Sequence, residues 1–129
     1  MSKFFKLTIM SSVLYVQSLY GQVKETQQKV YDKIVRANLQ HPKIVLAQSI
    51  HESRNFKSPA AKHKNNIFGI MAGRRTKRFE SVDSCIEYYK NHVQSRYRGG
   101  NYYKFLHRIG YASDPRYTYK LKNTILYIE

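Results

Sequence analysis

The chain has 129 residues, a length that suits one domain with a modest hydrophobic core. Its single cysteine, Cys85, excludes an intramolecular disulfide and a multi-cysteine metal site, and it lies among apolar residues that predict a buried side chain. The formal net charge of +15 indicates an anionic partner or environment, and nucleic acid, an acidic membrane surface and bacterial cell wall all meet that requirement.

The N-terminal segment has the pattern of a secretory signal peptide. Two lysines precede an uncharged, mostly apolar stretch at residues 7–19, and a small residue, Gly21, precedes the expected cleavage point. We therefore expect residues 1–21 to be removed on export, to the periplasm or outside the cell, and residues 22–129 to form the mature domain. The stretch is too short for a stable membrane span, which needs about 20 apolar residues. An uncleaved amphipathic helix is the alternative.

Apolar residues at helical spacing predict two helices after this segment. The first covers residues 24–39 and serves packing, whereas the second begins at Pro42 and ends near Ser53. Glu52 lies at the end of this second, strongly apolar helix, where desolvation raises the pKa of a carboxyl group. General acid catalysis at neutral pH needs such a carboxyl. A solvated side chain at a helix end is the alternative interpretation.

A loop and a hairpin are predicted next. The segment from Arg54 to Lys64 is rich in basic residues and is expected to be an exposed loop. The run Asn-Asn-Ile-Phe-Gly-Ile at residues 65–70 joins two turn formers to a short apolar stretch, which predicts the entry into a β-hairpin over residues 67–79. Its presumed tip, residues 74–78, is basic, and indicates either a solvated turn or a contact with an anionic polymer.

Three more helices complete the prediction. Ser81 is a suitable N-cap for a helix over residues 82–97. Two glycines end that helix, and a short helix over residues 102–109 follows. Asp114 and Pro115 fit the N-cap and the first position of the last helix.

Three separated motifs in this chain resemble the peptidoglycan-cleaving N-acetylglucosaminidases of glycoside hydrolase family 73, a branch of the lysozyme-like superfamily. The motifs are Ala47-Gln48-x-Ile50-x-Glu52-Ser53, the run at residues 65–70, and Gly110-Tyr111-Ala112-x-Asp114-Pro115-x-Tyr117. They occur in the family's order, and the resemblance covers residues 41–128. It implies a mainly α, lysozyme-like α+β fold in which a helical bundle and a small β-hairpin lobe flank a cleft.

The resemblance also implies a set of site residues. Glu52 matches the catalytic acid, which protonates the glycosidic oxygen as the β-1,4 bond of N-acetylglucosamine breaks. Tyr111 matches a tyrosine associated with orienting the substrate's acetamido group, and a substrate-assisted route makes a second carboxylate unnecessary. Glu80, at the end of the hairpin, is the candidate if a second carboxylate positions water.

Five further residues are expected to hold the acid or contact the substrate: Gln48, Ser53, Asn66, Phe68 and Tyr117. Three of them have structural alternatives. Asn66 suits a turn former, Phe68 a core residue, and Tyr117 a packing residue of the last helix.

The leading hypothesis is therefore an exported, monomeric glycoside hydrolase that cuts peptidoglycan glycan strands between N-acetylglucosamine and N-acetylmuramic acid. An N-acetylmuramidase or lytic transglycosylase acting on the same glycan is one alternative. A non-catalytic basic module that binds cell wall or nucleic acid is another, but it needs none of the motifs, so we expect no nucleic-acid partner. No cofactor or metal is expected, since the five histidines are scattered and position 55 is Asn where a zinc-protease helix has its second histidine.

Overall fold

The computed structural model describes Gly21 and residues 24–128. Within these residues the chain forms six α-helices and a two-stranded antiparallel sheet, so the predicted mainly α fold with a small hairpin is confirmed. The predicted signal peptide, residues 1–21, lies outside the described residues apart from Gly21. None of the helices described is both long enough and apolar enough to cross a bilayer.

The elements follow one another in this order. Helical residues 24–36 form α1, and they are followed by α2, Pro42–Glu52, and α3, Pro59–Lys64. The hairpin consists of β1, Met71–Ala72, and β2, Arg75–Thr76. The remaining elements are α4, Val82–His92, a 3-10 turn, Gln94–Arg96, α5, Tyr102–Arg108, and α6, Tyr117–Ile128.

The break between α1 and α2 comes from two residues with left-handed backbone. Asn38 has a φ of 61° and His41 a φ of 51°, and neither conformation continues a right-handed helix. The predicted first helix therefore ends earlier than residue 39. Pro42 then starts α2 at the position where its missing N–H costs nothing.

The predicted loop from Arg54 to Lys64 is wrong in its second half, because residues 59–64 form α3. Ser58 caps this helix by accepting a hydrogen bond from the amide of Ala61 at 3.2 Å, and Pro59 occupies the first helical position. Asn65 ends the helix with a φ of 53°. The sequence contained the helix-start signals Ser58 and Pro59. The basic residues that follow them are more typical of a loop, so the helix was not predicted.

The basic run lies mostly along the second strand and beyond it, not at the tip of the hairpin. Met71 pairs with Thr76 and Ala72 with Arg75, which leaves only Gly73 and Arg74 for the turn. One more backbone bond continues the pairing beyond the two-residue strands, because the Lys77 amide donates to the Ile70 carbonyl at 2.8 Å.

The base of the hairpin is closed by one buried side chain. The Asn66 amide nitrogen donates to the carbonyl of Ile70 at 2.8 Å and to that of Lys77 at 2.9 Å, and its oxygen accepts from the Ile70 amide at 3.0 Å. Asn66 thus replaces ladder bonds that the short strands do not make.

The C-terminal helices are present as predicted, but two of their limits differ. Ser81 caps α4 in a reciprocal arrangement with Ser84, which confirms the predicted cap. That helix ends at His92 instead of residue 97, and the 3-10 turn takes its place. The predicted N-cap at Asp114 and first helical position at Pro115 are wrong, because the last helix starts at Tyr117. The Asp114 carboxylate accepts from the Arg116 amide at 2.8 Å and holds residues 114–116 in a turn before the helix.

The core lies where α2 packs against α6, with α4 and α5 around them. Buried apolar residues come from five helices: Ile34, Val45, Ala47, Cys85, Ile86, Phe105, Leu106 and Leu121. The burial predicted for Cys85 is confirmed, and it raises the pKa of the thiol to about 11. The rigid centre of the fold is therefore the same helix, α2, that carries Glu52 at its end.

Candidate active site

Glu52 is the last residue of α2, and its side chain is half-buried. Ser53 turns the chain directly after it. The Ser53 hydroxyl donates to the carbonyl of Ser49 at 2.6 Å and accepts from the amide of Phe56 at 2.7 Å. Ser53, predicted to lie beside the acid, therefore fixes the helix end that carries Glu52 and has its own hydroxyl fully occupied.

Burial raises the pKa of the Glu52 carboxyl above its ordinary value, and this is the largest influence on it. A hydrogen bond from Tyr117 and the charge of His51 act in the opposite direction, since both favour the carboxylate. The net direction is upward, as the apolar sequence of α2 predicts. An acid in this setting keeps its proton to a higher pH than an exposed glutamate does.

Tyr117 contacts this carboxyl from the first residue of α6. Its hydroxyl accepts a hydrogen bond from the Gln48 amide nitrogen at 3.1 Å, and hydrogen bonding between this hydroxyl and Glu52 lowers the pKa of the carboxyl. The ring of His51 meets the Tyr117 ring edge-on, with centroids 5.6 Å apart. Two helices that are distant in sequence thus meet at one acid–phenol pair.

Tyr111 lies beside this pair, because its ring stacks on Tyr117 with centroids 5.9 Å apart. Burial raises its pKa well above the ordinary tyrosine value, and the nearby Tyr117 and Glu52 add to that shift. No residue in the described part of the chain hydrogen-bonds its hydroxyl. The three side chains brought together are therefore Glu52, Tyr117 and Tyr111.

Gly69, which comes just before the hairpin, lies close to the Glu52 carboxyl. It has a φ of +64°, and a Cβ at this position would lie 3.9 Å from Oε2 of Glu52 and 4.0 Å from its backbone carbonyl oxygen. A side chain here would meet the carboxyl and would also strain the backbone. The glycine of the Asn-Asn-Ile-Phe-Gly-Ile motif therefore leaves the carboxyl uncovered on this side.

Gln48, Asn66 and Phe68 are all buried and contact protein groups. Gln48 reaches Glu52 only through Tyr117. Phe68 stacks on Tyr89 with centroids 4.5 Å apart, which makes it a core residue, and Asn66 closes the hairpin. For Asn66 and Phe68 the structure agrees with the structural alternatives.

Glu80 lies apart from this group. Its side chain is exposed, between the buried ring of Phe79 and the N-cap Ser81. No hydrogen bond or ion pair joins its carboxylate to another of the residues described. Nothing in the fold thus ties Glu80 to Glu52.

A metal site and a surface pocket are the two other kinds of site that bear on function. Residues 24–128 contain no group of three or more histidine, cysteine or acidic side chains arranged to hold a metal ion. A pocket of about 620 Å³ lies between α1, α2 and the end of α6, where Tyr31, Leu46 and Ile128 are among its walls. Glu52 is not part of that pocket.

The hydrogen bond between Tyr117 and Glu52 was not foreseen from the sequence. The two residues are 65 positions apart, and only the packing of α6 on α2 brings them together. Tyr89, which contacts Gln48 and Phe68, was also missed as a site residue. A polar tyrosine on an otherwise apolar helix face was the available signal.

Comparison with known protein families gives a match. The family model Glucosaminidase, described as mannosyl-glycoprotein endo-beta-N-acetylglucosaminidase, matches residues 28–129. No curated protein and no solved structure is significantly similar to the chain. The matched region includes Glu52, Tyr111 and Tyr117, and it covers all the secondary structure from α2 to α6.

Proposed function

The chain belongs to the Glucosaminidase family, and we propose that it hydrolyses the β-1,4 bond between N-acetylglucosamine and N-acetylmuramic acid, with Glu52 as the general acid. It carries a hydrolase domain of the peptidoglycan glucosaminidase type. The observation that supports the assignment of the acid is the setting of Glu52, half-buried with a raised pKa beside two tyrosines. Glycosidases need one such protonated carboxyl on the leaving-group side.

In the first step, Glu52 transfers its proton to the glycosidic oxygen while the bond from that oxygen to the anomeric carbon breaks. The acetamido oxygen of the same N-acetylglucosamine attacks the anomeric carbon and forms a cyclic intermediate. Water then attacks that carbon, the bond from the carbon to the acetamido oxygen breaks and restores the acetamido group, and the water gives a proton to the Glu52 carboxylate. Glu52 therefore ends the cycle protonated, and no second protein carboxylate is required.

Tyr111 is proposed to orient the acetamido group in this route. Its hydroxyl lacks a partner among the described residues and lies next to the acid–phenol pair of Glu52 and Tyr117. A hydrogen bond from this hydroxyl would hold the acetamido oxygen in line with the anomeric carbon. The alternative is that exposed Glu80 positions the water instead.

Two variants distinguish these routes. Tyr111→Phe should reduce the turnover of purified peptidoglycan at least about tenfold, because a hydrogen bond to a group that gains charge is lost. Glu80→Gln should leave turnover near that of the wild type. The opposite pattern would assign the second role to Glu80.

The function itself is tested by digesting purified peptidoglycan and reading the products by mass spectrometry. New reducing N-acetylglucosamine ends are expected. Reducing N-acetylmuramic ends would indicate a muramidase, anhydro-muramic ends a lytic transglycosylase, and the absence of soluble fragments would contradict enzymatic action on this substrate.

We also propose that the protein is exported and that residues 1–21 are removed, on the basis of the basic start and apolar middle of that segment. Mass spectrometry of the exported protein should then find Gln22 at its N-terminus. An intact Met1 would contradict cleavage.

A further inference from the structure

We propose that a buried chain of hydrogen bonds holds the Tyr117 hydroxyl against Glu52 and makes it a fixed donor to that carboxyl. Four side chains form this chain: Gln94, Tyr102, Tyr89 and Gln48. They are positioning residues, since none of them hydrogen-bonds Glu52 and the last of them, Gln48, bonds Tyr117. The inference rests on the proposed function, because its main readout is cleavage by Glu52.

The far end of the chain is fixed by the backbone of Gln40. The Gln94 side-chain oxygen accepts from the Gln40 amide at 2.9 Å, and its nitrogen donates to the Gln40 carbonyl at 2.6 Å. A backbone N–H only donates and a carbonyl only accepts, so the orientation of the Gln94 amide is determined. Its second N–H must therefore point to the hydroxyl of Tyr102, which lies 3.1 Å away.

The directions of the later bonds follow from the Gln48 amide. Its side-chain oxygen accepts from the Tyr89 hydroxyl, and its nitrogen donates to the Tyr117 hydroxyl at 3.1 Å. Tyr89 has one hydrogen and uses it on Gln48, so Tyr102 is the donor in the 2.7 Å bond between the Tyr102 and Tyr89 hydroxyls.

At the near end, the Tyr117 hydroxyl accepts from the Gln48 nitrogen at 3.1 Å, so its oxygen is held in place and its single hydrogen is left for another acceptor. Hydrogen bonding with Tyr117 lowers the pKa of Glu52, so this hydroxyl favours the carboxylate that remains after proton transfer.

The chain is held in place by packing. Gln48, Tyr89 and Tyr102 are at most 1% exposed. Aromatic rings lie on both sides of Tyr89, with Phe68 stacked at 4.5 Å and Tyr111 edge-on at 6.2 Å between ring centroids. Among the residues described, no buried side-chain nitrogen or oxygen lacks a hydrogen-bond partner. Every polar atom in the chain is therefore satisfied, which is the condition for a buried network to hold one geometry.

The groups that face Glu52 are few, so the effect of the chain can be isolated. His51 faces it from α2, Tyr117 from α6 and Tyr111 from the segment before α6. Residues 65–70, which bring Gly69 against the carboxyl, contain no ionisable side chain. A change at Tyr89 or Tyr102 therefore brings no charge of its own to the acid, and it reaches Glu52 through Tyr117 or, for Tyr89, through the ring of Tyr111.

The test is the pH dependence of kcat/KM on peptidoglycan fragments. Activity of a general acid falls at high pH, as it loses its proton. Tyr117→Phe removes a donor that favours the carboxylate, so the alkaline limb should move up by about one pH unit. Tyr89→Phe should move it in the same direction by a smaller amount. Tyr103→Phe, a half-buried tyrosine of α5 outside the chain, should leave it in place.

A double variant tests whether Tyr89 acts through Tyr117. If it does, Tyr89→Phe combined with Tyr117→Phe should show the same alkaline limb as Tyr117→Phe alone. Additive shifts, or a Tyr89→Phe profile lowered equally at every pH, would overturn the proposal. Should Tyr89→Phe fail to fold, Tyr102→Phe carries the same prediction one bond further away.

Direct titration of Glu52 separates failure of this inference from failure of the proposed function. Carboxyl carbon NMR reports the pKa of Glu52 in each variant without any substrate. An upward shift in Tyr89→Phe supports the chain even in a protein that cleaves nothing. An unchanged Glu52 pKa in an active Tyr89→Phe enzyme would overturn the chain and leave the proposed function standing.

Discussion

At the scale of single residues, Glu52 is subject to two opposing influences. Burial at the end of α2 favours the protonated carboxyl, whereas the Tyr117 hydroxyl favours the carboxylate. A general acid needs both tendencies, because it must hold its proton before the reaction and release it during the reaction. The cost of ionising the half-buried Glu52 should therefore be measurable in the free energy of unfolding.

Glu52→Gln should stabilise the folded protein at neutral pH. The pKa of Glu52 is raised on folding, so above the pKa of the unfolded chain the wild type ionises Glu52 at a cost to folding. This cost is about 1.4 kcal/mol for each unit of the shift. Below about pH 4 the carboxyl is protonated in both states and the cost disappears. Urea unfolding of both proteins at pH 7 and pH 4 checks the prediction, and an equal difference at the two pH values would contradict it.

Gly69 is the second residue whose role depends on its immediate surroundings. Gly69→Ala should destabilise the fold by about 1 kcal/mol, since alanine is strained at a φ of +64°. The new methyl group should also lie against Oε2 of Glu52 and lower turnover. Gly73→Ala is the matched control, because its φ is +65° and nothing lies within 4 Å of an added Cβ. Equal turnover in the two variants would show that Gly69 has no special relation to the acid.

At the scale of elements, the hairpin depends on one amide. Asn66→Ala should destabilise the protein by about 2 to 4 kcal/mol, because three hydrogen bonds are lost and the half-buried Ile70 amide and Lys77 carbonyl lose their Asn66 partner. Asn101→Ala removes one exposed capping bond and should cost about 1 kcal/mol. Equilibrium urea unfolding compares them, and equal losses would contradict the role assigned to Asn66.

Element type was largely predictable from the sequence, and element limits were not. The apolar spacing of α2 and the Ser81 cap of α4 are local signals, and both were read correctly. The short helix α3 was missed because its Ser58-Pro59 start is followed by basic residues typical of loops. Helix ends depend on residues such as Asn38, which has a left-handed backbone conformation. The spacing of apolar residues along the chain does not predict that conformation.

The candidate site was predictable in part, for a similar reason. Glu52 was indicated by its helix and by its motif, and the direction of its pKa follows from the apolar residues around it. The partners of Tyr117 were not predictable, since Gln48 and Tyr117 are 69 positions apart. Hydrogen bonds between distant segments depend on tertiary packing, which spacing along the chain does not reveal.

At the scale of the whole molecule, the positive charge is concentrated next to the acid. The stretch from Ser53 to Phe79 contains eight lysines and arginines and no acid. Helix α3 and the hairpin share this surface, because Arg78 donates to the carbonyl of His63 at 2.6 Å and Lys64 donates to the carbonyl of Thr76 at 3.1 Å. An anionic glycan polymer is thereby attracted to the side of the molecule from which Gly69 approaches Glu52.

Reversing the charge of the hairpin should weaken binding to intact cell wall. Arg74→Glu with Arg75→Glu is expected to reduce binding at low salt more than Arg96→Glu with Arg98→Glu, which changes the net charge equally at another exposed site. The difference should disappear in 1 M salt, where the Debye length is about 3 Å. Sedimentation with purified wall measures both. Equal losses at low salt would mean that only net charge matters.

The most direct measurement is the turnover of purified peptidoglycan by Glu52→Gln, beside Glu87→Gln, which alters an exposed glutamate of α4. Both variants keep the shape of the side chain, and only the first removes the acid in contact with Tyr117. We predict a loss of at least about 100-fold for Glu52→Gln and wild-type turnover for Glu87→Gln. Wild-type turnover by Glu52→Gln would contradict the account.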